Sequence, residues 1–571
     1  MKPEPEAAAP QRFVTHRVHN VAPRAYVNLY DSDLALQSAL AVFGVSLQDC
    51  AMLRERGQEW GAQEMQEHAR LANQYGPRHL PYDSVGNRID EIEFHPAWHA
   101  LMRSLIASGA HAAPWDGGSH VTRGALYLLY GQLENGSQCP VTMTFASVAA
   151  LQANPALARD WLPKILSREY DPRSLPAQQK NGVLLGMGMT EKQGGSDVRA
   201  NSTRACASGV QDEWGMQYRI IGHKWFFSAP QCDAHLILAQ SVDESGQEAG
   251  LSCYFVPRYL RNGQRNPILV QRLKDKLGNR SNASSEVEFQ EAIGYPLGPS
   301  GRGVATIMEM GSLTRLDCVL GSAGILRAAL SIAMQHAHMR QAFGKALAQQ
   351  PLMQNVLADL ALESEAATWF ALRLAHCFDA DDAAEKALAR LLTAAGKYWL
   401  CKRGPAFGAE AMEVLGGNGY VEEGVLARLY RELPVNSIWE GSGNVICLDV
   451  LRVLAKGPAP QLALQQELKA AQGRNAQFDA YSKTLCEDLL QTPPAHIENQ
   501  AQQEFGAREL AMRIVLALQA SLLLRHAPRF VAQAFIHSRL RDGGPAACFG
   551  GLDFDTDCAA IIARAWPAGA P

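Results

Sequence analysis

A β-rich segment between two helical regions is the feature of this 571-residue sequence that most restricts its fold. Between about 186 and 296 the chain carries short alternating or β-branched runs, separated by turn-forming residues, which predicts a compact β-domain. Four runs are predicted as strands, at 217–222, 235–239, 252–257 and 285–289. A chain whose sequence predicts helices, then strands, then helices again is expected to place its helices and its sheet in separate layers.

The flanking regions have helical periodicity. Before the β-domain, segments at 33–42, 98–107 and 124–132 alternate with Pro and Gly breaks. After it, the segments 351–378 and 382–415 carry the apolar stripe of bundle helices. We therefore predict an α+β fold that is mostly α. Its four parts are an N-terminal extension with a helical domain (1–185), a β-domain (186–296), a helical bundle (297–460) and a C-terminal helical domain (461–571).

Composition restricts the class of protein. Hydrophobic residues make up 47% and charged residues 19%, and the net charge is −4, so any nucleic-acid contact requires a local basic patch. The twelve cysteines form no CxxC pair, which predicts reduced thiols in a cytoplasmic protein. Residues 1–11 are predicted to form a disordered tail, and we expect neither a membrane span nor a metal site.

One carboxylate stands out in the stretch 435–445, which reads VNSIWEGSGNV. Glu440 lies between Trp439 and Gly441, and partial desolvation there would raise its pKa into the range where it accepts and returns a proton. Taken alone, a helix-capping or salt-bridged glutamate is the commoner interpretation. The motifs upstream favour the base.

Two motifs in the β-domain suit a flat or phosphorylated ligand. The segment 186–197, GMGMTEKQGGSD, supplies exposed backbone N–H groups and the hydroxyls of Thr190 and Ser196, without the spacing of a Walker or GxGxxG loop. The segment 222–228, GHKWFFS, is a strand whose aromatic residues could lie against a ring. Each alone is more often a glycine-rich turn and an ordinary core strand.

Five ordered motifs resemble those of the acyl-CoA dehydrogenase flavoproteins over roughly residues 90–455. They are MTEKQGGSDV at 189–198, WFFS at 225–228, RQAFG at 340–344, EVLGGNGY at 413–420 and WEGSGN at 439–444. The segments 190–197, 274–283 and 434–444, together with the extra C-terminal region, are similar to the AidB branch. That resemblance implies a member of the adaptive response to DNA alkylation that binds FAD and double-stranded DNA and assembles as a homotetramer.

The resemblance also implies roles for individual residues. Glu440 is the expected base for the α-proton while the β-hydride goes to flavin N5, and Arg315 is the expected catalytic partner whose guanidinium favours the ionised carboxylate. The implied FAD contacts are Met187, Met189, Thr190, Gly195, Ser196, Phe226, Phe227, Ser228, Arg340, Phe343, Gly416, Gly417, Ser442 and Asn444. Arg340, Phe343 and the Gly416–Gly417 turn are expected to reach the FAD of a neighbouring subunit.

Two departures from the family pattern concern the adenosine end of FAD. Pro351 stands where the family has a glutamine after the RQAFG motif, and Glu413 replaces the glutamine that opens the GGNG motif. An acid beside a pyrophosphate is unfavourable unless it is protonated or paired, so this end of FAD is expected to be held differently.

The C-terminal region has as many acidic as basic residues from 456 onward, eleven of each. Six arginines nevertheless lie where acids are few: Arg508, Arg513, Arg525, Arg529, Arg539 and Arg541. Arginines favour bidentate phosphate contacts, and the resemblance makes these six candidates for a sequence-independent DNA surface. Without it, a solvated helix face is the commoner interpretation. Helical spacing does not put all six on one face, so a tetramer would be needed to form the groove.

Three functions stay open from sequence. The favoured one is a DNA-binding FAD protein with weak acyl-CoA dehydrogenase activity. The second is a metabolic dehydrogenase for short or branched acyl-CoA that does not bind DNA. The third is a non-catalytic protein that shields DNA.

Overall fold

The computed structural model describes residues 15–22, 25–491, 500–541 and 543–567. The tail predicted at 1–11 lies outside the described residues. The N-terminal part is helical with one hairpin, and its elements are α1 (Leu34–Val42), α2 (Leu47–Gly61), α3 (Gln63–Gln74), β1 (Arg78–Tyr82), β2 (Arg88–Glu93), α4 (Pro96–Ala107), α5 (His120–Gly131), α6 (Gln138–Leu151) and α7 (Pro155–Ile165). The three helices predicted here are confirmed, and the hairpin was not predicted because its polar, half-exposed residues show no apolar alternation.

The middle region is a β-domain, as predicted. Its strands are β3 (Leu185–Gly188), β4 (Arg204–Asp212), β5 (Gly215–Ser228), β6 (Ala234–Val242), β7 (Glu248–Pro257), β8 (Ile268–Leu273) and β9 (Ser284–Leu297). The order is β3-β6-β4-β5-β9-β7, with β8 beside β9, and β7 also pairs with β6, so the strands close on themselves. Phe227, Tyr254 and Phe289 fill the interior of the domain.

The bundle follows. It consists of α8 (Gly303–Met339), the short strands β10 (Gln341–Ala342) and β11 (Lys345–Ala346), α9 (Pro351–Asp379), α10 (Ala383–Val414), α11 (Gly417–Tyr420), α12 (Leu426–Asn436) and α13 (Gly443–Ala455). Helices α9 and α10 confirm the two stripes predicted from sequence. Helix α8 is the one described helix long and apolar enough to cross a membrane, but 89% of its apolar window is buried inside the protein, as in a bundle core.

The C-terminal region packs onto the bundle. Its helices are α14 (Ala459–Lys469), α15 (Ala476–Gln491), α16 (Gln500–His526), α17 (Arg529–Arg539) and α18 (Cys558–Ala565). Leu516 and Leu522 of α16 belong to the same apolar cluster as Trp369 of α9. The extension therefore shares a core with the bundle, and its removal would expose that core to water.

A loop of the β-domain is tied to the bundle and to the N-terminal helices by two buried carboxylates. Glu432 of α12 accepts a hydrogen bond from the Asn279 backbone N–H at 2.6 Å, and Glu134 accepts one from the Ser281 hydroxyl at 2.6 Å. Burial, with Glu134 nearby, raises the pKa of Glu432 to about 7. These contacts fix the β-domain against the helices on either side.

Candidate active site

The turn between α12 and α13 presents Glu440. Its backbone is left-handed at Glu440 (φ 58°) and at Gly441 (φ 106°). Position 441 favours glycine because of this φ, and a Cβ there would lie 2.9 Å from Ile446 Cδ1, so the end of that side chain would have to move. A non-glycine residue such as Glu440 adopts this conformation only where surrounding contacts impose it.

The Glu440 carboxylate is partly buried and has one direct hydrogen-bond donor among the described residues. Thr314 Oγ1 of α8 donates to Glu440 Oε2 at 2.7 Å. Burial raises the pKa of Glu440 above its ordinary value, while the Thr314 hydroxyl and the positive charges of Arg315 and Lys397 oppose the rise. A carboxylate in this state can accept a proton from a weak carbon acid and later release it.

Arg315 supports Glu440 through the backbone. Its Nε donates to the Glu440 carbonyl at 3.0 Å, and its Nη1 donates to Asp449 at 2.9 Å. Asp449 also accepts a hydrogen bond from Arg390. The guanidinium predicted as a catalytic partner is therefore a positioning group, which holds the turn and does not hydrogen-bond the carboxylate.

Trp439 connects the turn to the β-domain. It packs against a cluster formed by Cys139 and Met143 of α6 with Ala229 and Cys232, and Met187 of β3 packs against the same cluster. The catalytic turn and the end of β5 thus lie on either side of one small apolar cluster. The structure brings together Glu440 and the β-domain motif that were predicted separately.

The glycine-rich loop after β3 is fixed by a buried ion pair. Lys224 Nζ of β5 lies 2.8 Å from Glu191 Oε1, and both side chains are fully buried. The Ser202 N–H donates to Glu191, as does the Ser202 hydroxyl, and the Lys224 charge helps hold the pKa of Glu191 well below its usual range although burial opposes this. With this anchor beneath it, the loop leaves Gly195 and Ser196 exposed.

The donors on this loop fit a bound FAD. Within the described part of the chain, the hydroxyls of Thr190 and Ser196 make no hydrogen bond, so both remain free for a ligand. Asn282 is buried, yet neither its amide nitrogen nor its oxygen has a hydrogen-bond partner among those same residues. Free hydroxyls on this loop, and a buried unsatisfied amide on the loop before β9, are groups that a ligand with ring heteroatoms and phosphates would satisfy.

The aromatic strand contributes one exposed ring. Phe226 is 57% exposed and its φ is 57°, whereas Phe227 is fully buried against His235 and Phe289. The Phe227 ring fills the β-domain core, so only the backbone of Phe227 is left for its predicted contact with the flavin. Met187, Met189 and Ser228 are partly buried around the same strands.

The residues predicted to reach a neighbouring subunit lie on the outside of this chain. Phe343 is 100% exposed on the β10–β11 hairpin, and Arg340 donates to the Asn20 carbonyl at 2.8 Å. Gly416 and Gly417 are exposed, and a Cβ added at either would have no described atom within 4 Å. The structure does not bring these four residues to Glu440.

Near the start of α13, the extension contacts a predicted cofactor residue. Arg508 Nε of α16 donates to Asn444 Oδ1 at 2.9 Å, and Ser442 is exposed beside it. Glu413 is exposed, and Pro351 is the first residue of α9. The contact made by Arg508 links the extension to the catalytic turn.

The remaining C-terminal arginines are mostly engaged within the chain. Arg539 is buried and pairs with Asp359 at 2.5 Å and Glu363 at 3.2 Å, so its assignment to a DNA surface is corrected. Arg513 pairs with Asp488 and Arg525 with Glu467, each at 2.7 Å. Arg529 and Arg541 are exposed, and neither forms an ion pair with another described residue.

Sequence reasoning missed Lys397 and Asp449. Lys397 donates from α10 to the Gly441 carbonyl, and Asp449 holds Arg315 from α13. A lysine inside the apolar stretch of α10 was the one available signal, because an unpaired ammonium is rarely buried without a purpose. Asp449 gave no signal, since its partners lie 59 and 134 residues away.

Comparisons with known proteins agree with this architecture. Residues 20–172 match the adaptive response protein AidB N-terminal domain, 186–292 the acyl-CoA dehydrogenase middle domain, and 301–455 the acyl-CoA dehydrogenase C-terminal domain. The putative acyl-CoA dehydrogenase AidB of Escherichia coli strain K12 is 48% identical over 537 residues, which covers 93% of this chain and 95% of that protein.

Solved structures share the fold. The Caenorhabditis elegans ACDH-11 in complex with C11-CoA superposes with a TM-score of 0.80 at 24% identity, covering 97% of this chain and 93% of that one. An acyl-CoA dehydrogenase complexed with FAD from Bacillus anthracis superposes with a TM-score of 0.66 at 16% identity, covering 89% of each chain. The chain therefore belongs to the acyl-CoA dehydrogenase family, whose members bind FAD, and within it to the AidB branch.

Proposed function

We propose that this chain is a cytoplasmic FAD protein of the DNA alkylation response that binds double-stranded DNA without sequence preference and retains weak acyl-CoA dehydrogenase activity. One observation carries the enzymatic part. The Glu440 carboxylate, with Thr314 as its donor, lies across the Trp439 cluster from the strand that ends at Ser228. The adaptive-response part is supported by the AidB N-terminal domain at residues 20–172 and by the 48% identity to the E. coli AidB protein, and the DNA part by the exposed arginines of the extension that follows α13.

In the proposed reaction, the side chains of this protein carry out one step, the removal of the α-proton. An ionised Glu440 accepts the α-proton of an acyl thioester, and the carbon–carbon double bond forms as the β-hydrogen leaves with its electron pair. FAD, when bound, supplies the acceptor for that hydride. Thr314 keeps the carboxylate aimed during the transfer, and Arg315 holds the backbone from which it projects.

The cofactor would be held chiefly by the loop after β3 and the end of β5. Thr190 and Ser196 provide free hydroxyls, and Gly195 lets the backbone approach the ligand. Phe226 offers an exposed ring, and Ser228 a hydroxyl, at the same edge of the β-domain. The exposed Arg340 and Phe343 suit contact with FAD in a neighbouring subunit of a homotetramer.

A metabolic acyl-CoA dehydrogenase without DNA binding is the second candidate. It is favoured by the pairing of three of the six C-terminal arginines with carboxylates of the same chain: Arg513, Arg525 and Arg539. Arginines already paired with carboxylates lose their partners if they turn to phosphate, which weakens any DNA contact they make. Under the favoured proposal, Arg529 and Arg541 are the leading phosphate contacts.

An anaerobic flavin titration tests the two candidates together. The purified protein is reconstituted with FAD and mixed with short and branched acyl-CoAs, with and without duplex DNA, while the flavin absorbance is followed. Bleaching that is lost in Glu440→Gln supports the dehydrogenase chemistry. The third function, DNA shielding without catalysis, predicts that no acyl-CoA bleaches the flavin.

Duplex binding is measured on the same samples over a range of salt concentrations. Binding that weakens steeply with salt supports the DNA proposal, and its absence at low salt favours the metabolic dehydrogenase. Point variants of Arg529 and Arg541 are the appropriate probes, because removal of the whole extension would expose the shared core.

A further inference from the structure

Lys397 is a buried lysine with an unusual set of partners. Its side chain lies on α10 with 1% of the residue exposed, and its ammonium donates to the Gly441 carbonyl. Among the described residues it forms no ion pair. The buried Lys224 differs, since Glu191 lies 2.8 Å away and compensates its charge. Burying an ammonium that has one carbonyl partner and no counter-charge raises the free energy of the folded state. The position of Lys397 is therefore unfavourable for stability alone.

Two cations hold consecutive carbonyls of the catalytic turn. Arg315 of α8 binds the Glu440 carbonyl, and Lys397 of α10 binds the Gly441 carbonyl. Those two residues are the ones with left-handed backbone, at φ 58° and 106°. Contacts from two helices thus impose the conformation that presents the Glu440 side chain.

Of the two cations that act on Glu440, Arg315 has a carboxylate partner and Lys397 has none among the described residues. Asp449 of α13 binds Arg315, and it also binds Arg390, whose side chain is one-third exposed to water. The thiols of Cys139 on α6 and of Cys318 and Cys401 on the bundle helices stay neutral, because burial raises the pKa of each. Within the described part of the chain, the Lys397 charge has neither an acidic partner of its own nor contact with water to screen it.

We propose that Lys397 is a positioning residue for Glu440, which fixes the turn through the Gly441 carbonyl and keeps the neighbouring carboxylate ionised by its charge. This inference rests on the proposed role of Glu440 as a base. Its test needs no substrate, so it can fail independently of that role.

The test follows the ionisation of Glu440 by infrared difference spectroscopy of the FAD-loaded protein as pH is changed. The carboxyl band is assigned by its loss in Glu440→Gln. Lys397→Met removes the charge, and we expect the Glu440 midpoint to move up by less than about one pH unit. Lys397→Arg keeps a cation and should return the midpoint toward its original position. Lys402→Met is the matched control, since Lys402 lies exposed on the same helix, and should leave the midpoint unchanged.

Lys397→Gln separates the two parts of the proposal, because its amide can still donate to the Gly441 carbonyl but carries no charge. A raised midpoint in this variant supports the charge effect, and it serves as the test if Lys397→Met does not fold. An unchanged midpoint in folded Met and Gln variants would overturn the proposal. Failure of both to fold while Lys397→Arg folds normally would also overturn it, in favour of a purely structural role. If the midpoint moves but no acyl-CoA reduces the flavin, the inference about Lys397 stands and the dehydrogenase proposal fails.

Discussion

The catalytic turn and the C-terminal extension use arginine and lysine in opposite ways. At the turn, Arg315 and Lys397 come from two helices and converge on adjacent carbonyls, so their charges act on one carboxylate. In the extension, Arg525 forms an ion pair with Glu467, and Arg539 forms ion pairs with Asp359 and Glu363. Sequence proximity is therefore a poor guide to a shared charged surface, because the partners of each arginine decide where its charge acts.

The two regions also meet. Arg508 of the extension donates to Asn444, four residues after Glu440. The extension is thus part of the surroundings of the catalytic turn as well as a candidate for DNA contact. The comparison predicts that variants at the turn change chemistry, whereas most arginine variants in the extension change stability first.

The largest expected effect is that of Glu440→Gln on flavin reduction by an acyl-CoA. Loss of a positioned general base should slow reduction by about 10²–10⁴-fold, measured by anaerobic stopped-flow absorbance. Glu64→Gln is the control, because Glu64 is exposed on α3 in the N-terminal part of the chain. Reduction at the normal rate in Glu440→Gln would show that another group removes the α-proton.

Arg539→Met should chiefly destabilise the fold. It leaves Asp359 and Glu363 buried without this partner, at an expected cost of about 3–5 kcal/mol in the free energy of unfolding, measured by chemical denaturation. Arg541→Met, at an exposed position, should change this free energy by no more than about 0.5 kcal/mol. Unaltered stability with lost DNA binding in Arg539→Met would return this residue to the DNA surface.

The sequence predicts the architecture better than the site. Helices α9 and α10 follow from their apolar stripes, and the strands β5, β6, β7 and β9 from β-branched runs between turn residues. Glu440 could be predicted as a base only from its local setting together with the family motifs upstream. The apolar surroundings of Lys397 mark it as unusual, but its contact and that of Asp449 could not be predicted, because they depend on helix packing that brings distant segments together.

Phe227 and Arg539 are two residues whose burial could not be predicted from the sequence. Adjacent strand residues alternate between faces, so the run of aromatic residues at 225–227 does not say which ring faces a ligand. Only the closure of the β-domain shows that Phe227 fills the core and Phe226 is exposed. For Arg539, the two acids that bury it lie 176 and 180 residues earlier.

A smaller effect is expected from the exposed arginines. If Arg529 and Arg541 each contact one phosphate, the double variant to glutamine should reduce the slope of log affinity against log salt by about 1.8, at about 0.9 per contact. Fluorescence anisotropy of a labelled duplex measures this slope. Arg513→Gln, which breaks a pair with Asp488, is the matched control and should leave the slope unchanged. An equal reduction in the control would mean that paired arginines also reach phosphate.

The smallest effect is expected at Thr314. Its hydroxyl stabilises the ionised form of Glu440 and so lowers the pKa of that carboxyl, against the larger effect of burial. Thr314→Val removes the donor, the pKa of Glu440 rises further, and the ionised base is present only at higher pH. In a plot of the rate of flavin reduction against pH, the rise on the acidic side should therefore move up by about one pH unit at most.

Thr306→Val on the same helix is the control, since Thr306 is partly exposed near the start of α8 and should leave this rise in place. A downward shift in Thr314→Val would contradict the geometry, because it would mean that the hydroxyl stabilises the protonated acid.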